Sequence, residues 1–182
     1  MKDKDKKISK FLSLILRHRP QVVGIELGNN GWVETDKLLE AIQKSGRNIN
    51  LEDIKRVVAT NDKQRFAFSE GGGLIRANQG HSVKIELNYD AVKPPMLLYH
   101  GTAEKFMKGI RREGLRKMRR HHVHLSSSVE TASKVGVRHG KLVLLKIDSA
   151  AMHRKGMVFY CSENGVWLTE HVPPDYIHEL KE

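Results

Sequence analysis

The chain has 182 residues, enough for one ordinary domain or two small ones. Its 32 lysines and arginines outnumber 21 acidic residues, and a net charge of +11 favours a polyanionic partner such as nucleic acid. A single cysteine, Cys161, excludes an intrachain disulfide and a cysteine-based zinc site. No apolar run approaches the length of a membrane span.

The N-terminus is rich in lysine and aspartate and lacks the apolar core of a signal peptide. Together with the single cysteine, this composition predicts a protein of the reducing cytoplasm that has no membrane association.

Charge is distributed unequally along the chain. Residues 1–92 contain 16 basic and 12 acidic residues, whereas residues 93–182 contain 16 basic and 9 acidic residues and eight of the ten histidines. Pro94 and Pro95 stiffen the segment between these parts. We therefore expect two lobes, 1–92 and 93–182.

The first helix is predicted over residues 8–16, where apolar residues recur at helical spacing. Pro20 disfavours helical backbone at the residue before it, so Arg17, His18 and Arg19 are expected in the last turn. Cations there either complement the helix dipole or form an anion site with an imidazole, and local sequence leaves both open.

Two more helices and a hairpin complete the predicted first lobe. Thr35 or Asp36 is expected to cap the second helix and Asn50 the third. Strands are predicted at residues 65–69 and 74–77, on either side of three glycines, and a further strand at 83–87. Helices followed by a hairpin are typical of a winged-helix-like lobe, so the fold class is α+β.

Short strands dominate the predicted second lobe, a mixed α/β lobe. A buried strand at residues 96–99 leads to His100, and Gly114 ends a helix predicted over 103–113. Ser128 is expected to cap a short helix, and residues 136–140 form a predicted loop. The remaining strands are predicted at residues 121–126, 142–147, 157–160 and 165–169.

Basic side chains are the strongest chemical signal in the sequence. No Walker A or Rossmann glycine motif and no nucleophile elbow is present. His122 and His124 share a strand face with no nearby carboxylate, which predicts no metal site. Several arginines around one phosphate, with a histidine to move a proton, would suit phosphate transfer.

Six motifs in order resemble the RNA 2′-phosphotransferases of the Tpt1/KptA family over nearly the whole chain. They are SKFLSLILRHRP (9–20), NDKQRF (61–66), IRANQGHS (75–82), YHGT (99–102), RHHVHLS (120–126) and NGVWLT (164–169). The resemblance implies a winged-helix RNA lobe and an ADP-ribosyltransferase-like NAD lobe.

The implied reaction removes an internal 2′-phosphate from RNA and consumes NAD⁺ as co-substrate. The 2′-phosphate first displaces nicotinamide from its ribose. The ribose 2″-hydroxyl then attacks the phosphorus, which gives 2′-hydroxyl RNA and ADP-ribose 1″,2″-cyclic phosphate. RNA of the tRNA splice-junction type is the expected substrate.

The resemblance assigns the catalytic roles to Arg17, His18, Arg65 and Arg120, with Arg119 as a rival for the last. NAD contacts are implied for His100, Gly101, Thr102, His124, Ser126, Ser127 and Val166. Many ADP-ribosyltransferases carry a glutamate where Val166 stands, and a phosphate nucleophile needs no such base. Contacts to RNA or phosphate are expected at Arg19, Gln79, His81, Arg119 and Arg138.

Two other functions remain open at this point. The chain could be an ADP-ribosyltransferase that modifies another nucleic-acid phosphate and stops after the first step, or a non-catalytic RNA-binding module. The complete set of Arg17, His18, Arg65 and Arg120 favours the two-step enzyme. We expect a monomer whose active site lies in the cleft between the lobes.

Overall fold

Helices and short antiparallel strands make up the chain in the computed structural model, which describes residues 3–61, 63–83, 85 and 89–180. Within these residues the α-helices are α1 Asp3–Arg17, α2 Thr35–Lys44, α3 Leu51–Ala59, α4 Met107–Glu113, α5 Val129–Gly136 and α6 Ser149–Arg154. The strands are β1 Val33–Glu34, β2 Phe66–Phe68, β3 Leu74–Ala77, β4 Leu98–Ala103, β5 Leu115–Arg116, β6 Val123–Leu125, β7 Leu142–Ile147, β8 Phe159–Cys161, β9 Trp167–Thr169, β10 His171–Val172 and β11 Ile177–Glu179.

The chain divides into two compact units, Met1–Asn88 and Tyr89–Glu182, and the division predicted at Val92 lies four residues further on. Each unit has its own apolar core. Leu12, Ile15 and Leu16 of α1 are fully buried in the first core, as the helical spacing of residues 8–16 predicts.

Charged residues join α1 to α3 beside the first core. Asn50 caps α3 as predicted, because its Oδ1 accepts a hydrogen bond of 2.8 Å from Asp53 N. The buried Asp53 carboxylate also accepts from Lys4 Nζ at 2.9 Å and Arg56 Nη2 at 2.5 Å. Arg56 in turn bonds the buried carboxylate of Asp5 at 2.9 Å. The buried acids are therefore paired.

Two predictions about helix ends are wrong. Helix α1 ends at Arg17, so His18 and Arg19 follow the helix and do not lie in its last turn. Neither Thr35 nor Asp36 caps α2, because Glu34 holds the cap position. The Thr35 hydroxyl donates instead to Gly72 O at 2.8 Å, which ties the start of α2 to the hairpin turn.

The hairpin of the first unit forms where it was predicted, as β2 and β3. The sequence did not show that β1 joins them, giving an antiparallel sheet in the order β1-β3-β2. A two-residue strand such as β1 has no periodicity of its own to detect. The strand predicted at 83–87 falls mostly on residues outside the described part of the chain.

In the described residues of the second unit, three small antiparallel sheets have the orders β11-β7-β4, β6-β9-β8 and β10-β5. Strand β4 starts later than predicted, at Leu98, and continues through His100, Gly101 and Thr102. Met96 is 76% exposed, so the buried strand begins later than the apolar run at 96–99 predicts. Helix α6 and strands β5, β10 and β11 were not predicted.

Local capping signals in the second unit are confirmed. Ser128 Oγ accepts from Thr131 N at 3.2 Å, and Gly114 ends α4 with a φ of 74°. The helix predicted over 103–113 is a 3-10 turn at Glu104–Phe106 followed by α4. The loop predicted at 136–140 is wrong in part, because Gly136 ends α5 and Val137–His139 is a 3-10 turn.

None of the helices in the described residues combines the length and the apolar character needed to cross a bilayer.

Candidate functional site

Arg17 connects the end of α1 to the segment before β2. Its buried guanidinium donates from Nη2 to the carbonyl oxygen of Arg65 at 3.1 Å, and its Cζ lies 5.8 Å from the centre of the Phe66 ring. Its own carbonyl oxygen accepts from Ser82 N at 2.8 Å. The structure thus brings two of the predicted catalytic arginines together within the first unit.

His18 and Arg19 are exposed immediately after α1. His18 Nδ1 lies 2.9 Å from Ser82 Oγ, so one ring nitrogen is engaged by the protein. Arg19 N donates to Leu14 O at 2.8 Å, which fixes its backbone while its side chain extends into solvent. An exposed imidazole and a guanidinium therefore lie next to the buried Arg17.

Arg65 is anchored by an asparagine to which the sequence interpretation gave no role. Its Nη1 donates to Asn61 Oδ1 at 3.1 Å, and the buried Asn61 Nδ2 donates to Ser9 Oγ at 3.1 Å. Because Ser9 belongs to α1, one asparagine ties the Arg65 side chain to the helix that carries Arg17.

Asn78 holds the backbone on the other side of Arg65. Its backbone N donates to Arg65 O at 2.9 Å, and its side-chain Nδ2 donates to Gln64 O at 2.7 Å. Gln64 has a φ of 41°, which is uncommon for a residue other than glycine. These two bonds stabilise a turn that presents Arg65.

The segment after β3 passes close to Arg17. Gly80 has a φ of 85°, and a Cβ atom there would lie 3.4 Å from Arg17 Nη1. Gln79 is half-buried. His81 is fully buried, and a Cβ at Gly31 would lie 2.9 Å from its Nε2, so His81 has a packing role in the first unit.

His100 in β4 is the best-defined member of the predicted NAD set. Its Nδ1 donates to the carbonyl oxygen of His124 at 3.0 Å. Burial lowers the pKa of His100, and the hydrogen bond to His124 O opposes this only partly. The ring is therefore neutral near pH 7, with Nε2 available to accept a hydrogen bond from a hydroxyl group.

Gly101 has a structural reason to be glycine. A Cβ atom at Gly101 would lie 1.8 Å from Ala132 O, and one at Gly136 would lie 2.9 Å from Gly101 C. Strand β4 and helix α5 therefore approach backbone to backbone. Thr102 follows in β4 and is buried.

Arg120 lies in the segment between β5 and β6, which also contains Arg119. Arg120 Nη1 lies 3.3 Å from His124 Nδ1, and the ring nitrogen is the acceptor because a guanidinium only donates. Arg119 is exposed. His124 thus connects two predicted site residues, since its carbonyl oxygen accepts from His100 and its ring accepts from Arg120.

The remaining predicted site residues of the second unit differ in their exposure and in their hydrogen bonds. Ser126 pairs with Tyr99 through two backbone bonds of 2.8 Å, and Ser127 is exposed. Val166 is half-buried in the turn before β9, where its N donates to Ser162 Oγ at 3.1 Å. Arg138 is exposed in the 3-10 turn after α5.

Potential metal ligands are dispersed in the part of the chain that the structure describes. There, no group of three or more histidines, cysteines, aspartates or glutamates is arranged to hold a metal ion.

Comparison with known proteins identifies the family. The sequence profile described as RNA 2′-phosphotransferase, Tpt1/KptA family, matches residues 3–171. The chain belongs to this family. The matched range includes every residue that the sequence motifs single out, so each assigned position lies within the family's domain.

Individual members of the family agree with this result. A probable RNA 2′-phosphotransferase of Trichormus variabilis is 52% identical over 174 residues, which cover 96% of each chain. The one from Flavobacterium johnsoniae is 52% identical over 94% of each chain. The one from Fusobacterium nucleatum is 49% identical over 96% of this chain and 98% of its own.

Sequence reasoning missed Asn61 and Asn78, and it did not predict the contact of Ser82 with His18. All three lie inside the family motifs NDKQRF and IRANQGHS, so the motifs contained the signal. Their roles depend on contacts to α1 and to the segment before β2, which no local pattern predicts.

Proposed function

We propose that the chain is an NAD⁺-dependent RNA 2′-phosphotransferase. It removes an internal 2′-phosphate from RNA by way of an ADP-ribosylated 2′-phosphate and releases 2′-hydroxyl RNA, nicotinamide and ADP-ribose 1″,2″-cyclic phosphate. Membership of the family over residues 3–171 supports this activity.

The geometry that carries the proposal is the arrangement around Arg17. The Arg17 guanidinium bonds the backbone of Arg65, and His18 follows it directly with one ring nitrogen engaged by Ser82. Guanidinium groups bind phosphate oxygens bidentately and stay charged, while an imidazole exchanges protons near neutral pH. A protein that only binds RNA has no need for the imidazole.

The first unit suits the role of an RNA lobe. Strand β1 lies between α1 and α2, and the hairpin β2–β3 follows α3 and completes a three-stranded antiparallel sheet, an order that supports the winged-helix interpretation. Arg19 is exposed beside the proposed phosphate site, as a contact to RNA requires. Gln79 is the second expected contact in this unit, whereas burial of His81 favours an indirect role that shapes the site.

The second unit suits the role of an ADP-ribosyltransferase-like NAD lobe. Neutral His100 offers Nε2 to a ribose hydroxyl, and Thr102, Ser126 and Ser127 supply further polar groups on or near the same strands. The residues therefore fit a ribose-containing co-substrate held outside a Rossmann fold. Val166 provides no general base, which agrees with a phosphate dianion as nucleophile.

The second chemical step makes the greater demand on the arginines. When the 2″-hydroxyl attacks phosphorus, negative charge develops on the phosphoryl oxygens, and Arg17, Arg65 and Arg120 would stabilise it. His18 would accept the proton of the attacking hydroxyl or supply one to the departing 2′-oxygen. We assign Arg120 to this role in preference to Arg119 because Arg120 bonds His124.

We further propose that the enzyme is a cytoplasmic monomer acting on RNA of the tRNA splice-junction type. The single cysteine agrees with a reducing compartment. Arg138 and Arg119 are exposed in the second unit and are candidate contacts for RNA or for the pyrophosphate.

An RNA with one internal 2′-phosphate tests the proposed function directly. Incubation with NAD⁺ should convert it to 2′-hydroxyl RNA and release ADP-ribose 1″,2″-cyclic phosphate, and omission of NAD⁺ should leave it intact. Loss of phosphate without NAD⁺, or no loss in its presence, contradicts the proposal.

The division of labour predicts an intermediate in two variants. Arg65→Ala and Arg120→Ala should accumulate ADP-ribosylated RNA, because loss of one charge-stabilising donor slows the second step by about 10²–10³-fold. Gel analysis of radiolabelled RNA measures the accumulation. Arg154→Ala, an exposed arginine at the end of α6, is the matched control and should behave as the unsubstituted chain does. Absence of the intermediate from both variants overturns the assignment.

A further inference from the structure

Ser82 makes two contacts that converge on the end of α1. Its backbone N donates to Arg17 O at 2.8 Å, and its hydroxyl oxygen lies 2.9 Å from His18 Nδ1. Val83 N also donates to Arg17 O, at 3.3 Å. The chain after β3 is therefore bound to the two residues that carry the proposed chemistry.

The backbone and side-chain contacts of Ser82 have separate consequences. The backbone bonds satisfy a carbonyl group that the helix end leaves without an intrahelical partner, and any residue at position 82 except proline can donate the first of them. The hydroxyl bond serves no such need, because Ser82 and His18 are both exposed and water could replace either partner. Its effect is to orient the imidazole.

We propose that Ser82 is a positioning residue that fixes the orientation and tautomer of His18. This inference rests on the proposed function. The Nδ1–H group donates to Ser82 Oγ, and Nε2 is thereby directed to the reacting phosphate ester as the nitrogen that exchanges protons.

A serine suits this role because the hydrogen bond from His18 Nδ1–H to Ser82 Oγ can persist through the whole second step. Nε2 takes the proton of the ribose 2″-hydroxyl as its oxygen forms the new bond to phosphorus. The same nitrogen returns that proton to the RNA 2′-oxygen as the old phosphorus–oxygen bond breaks. The imidazole donates from Nδ1 in its neutral and in its charged form, so Ser82 Oγ accepts throughout.

A neutral hydroxyl also suits the surroundings better than the carboxylate of a catalytic triad. Arg17 and Arg19 flank His18, and Arg65 is bound to Arg17. A carboxylate there would pair with these guanidiniums and compete with the substrate phosphate for them. A hydroxyl orients the ring without adding negative charge.

Single-turnover kinetics of Ser82→Ala test the proposal against a purely structural role. This variant keeps the backbone bond to Arg17 O and loses only the hydroxyl. We expect the second step to slow roughly tenfold, a part of the 10²–10⁴-fold that general acid–base catalysis supplies, so that ADP-ribosylated RNA accumulates. The first step and the melting temperature should be unchanged, and Ser82→Thr should restore the second step.

Nitrogen-15 NMR of the His18 ring gives a readout that does not depend on activity. The His18 signals are assigned by their absence from His18→Ala. The unsubstituted chain and Ser82→Thr should show the Nδ1–H tautomer, and Ser82→Ala should shift towards the Nε2–H form that predominates in free histidine. Ser13→Ala is the matched control, because the Ser13 hydroxyl donates only to its own helix, at Ser9 O.

The outcomes separate the positioning role from the proposed function. An unchanged tautomer in Ser82→Ala, an unchanged rate of the second step, or an equal slowing of both steps with a lower melting temperature overturns the positioning role. If the unsubstituted chain fails to transfer a 2′-phosphate, the proposed function is wrong, and the NMR comparison still decides whether Ser82 orients His18.

Discussion

Arg17 and Arg19 are two residues apart, yet their side chains have different environments. Arg17 is buried and bonds the backbone of Arg65, whereas Arg19 is exposed. The difference arises because Arg17 ends the amphipathic helix on its buried side and Arg19 follows the helix. A buried, hydrogen-bonded guanidinium suits transition-state stabilisation, and an exposed one suits contact with RNA.

Gly101 lies at a position where one additional atom, a Cβ, would force β4 and α5 apart. Gly101→Ala should lower the free energy of unfolding by about 3 kcal/mol or more, because its Cβ would lie 1.8 Å from Ala132 O and the backbones of β4 and α5 would have to separate. Urea unfolding followed by circular dichroism measures the loss.

A second glycine provides the control. A Cβ at Gly109 in α4 meets nothing within 4 Å, so Gly109→Ala should keep or raise stability by up to about 1 kcal/mol. Equal effects of the two substitutions would contradict the close approach of β4 and α5.

At the scale of elements, charge pairs between α1 and α3 accompany their apolar packing. Arg56 on α3 bonds both Asp5 of α1 and Asp53 of its own helix, and Lys4 of α1 bonds Asp53. The same packing keeps Ser9 within reach of Asn61. The contacts between these helices therefore help to fix the position of Arg65.

Asp53→Asn should destabilise the first unit in a pH-dependent way. Hydrogen bonds from Arg56 and then Lys4 hold the pKa of Asp53 at about 2, below its usual 3.8. A carboxyl pKa that is lower in the folded state stabilises the fold above the unfolded value, and this stabilisation is lost as the pH falls through the folded value. The substitution should therefore cost about 1–2 kcal/mol at pH 7 and progressively less between pH 4 and pH 2.

Urea unfolding at a series of pH values measures this effect. Glu52→Gln removes an exposed carboxylate of the same helix, paired at the surface with Lys55, and should change stability by less than about 0.5 kcal/mol. A loss for Asp53→Asn that is as large at pH 3 as at pH 7 would show that the charge is not the cause.

At the scale of the whole molecule, we expect the net charge of +11 to govern association with RNA. Each phosphate that a basic side chain neutralises on a single strand contributes about −0.7 to the slope of log affinity against log salt. With at least three such contacts, we expect a slope of about −2 or steeper, measured by fluorescence anisotropy with 2′-phosphorylated RNA.

Substitution of one arginine and of one lysine distinguishes the effect of a specific phosphate contact on the salt dependence from the effect of net charge. Arg19→Ala should make the slope less steep by about 0.7, because a contact to phosphate is lost. Lys37→Ala removes an equal charge that is paired with Glu34, 2.8 Å away, and should leave the slope unchanged. Equal effects of the two substitutions would mean that the slope reports only total charge.

The sequence by itself determined the elements whose signals are local. Helix α1 has a 3.6-residue apolar period, α3 and α5 have capping side chains at Asn50 and Ser128, and β3 forms as predicted after a glycine turn. The six motifs also determined the family, because their order is specific even though each is short.

Only the tertiary structure decided how the site is supported. Arg17 reaches Arg65 across 48 positions of sequence, Asn61 reaches Ser9 across 52, and Ser82 reaches His18 across 64. The two-residue strands β1, β5 and β10 likewise exist only through their partners. Such contacts depend on how distant segments pack, and the sequence does not predict them. An apolar periodicity or a helix cap depends only on neighbouring residues in the chain, so the sequence does predict these local features.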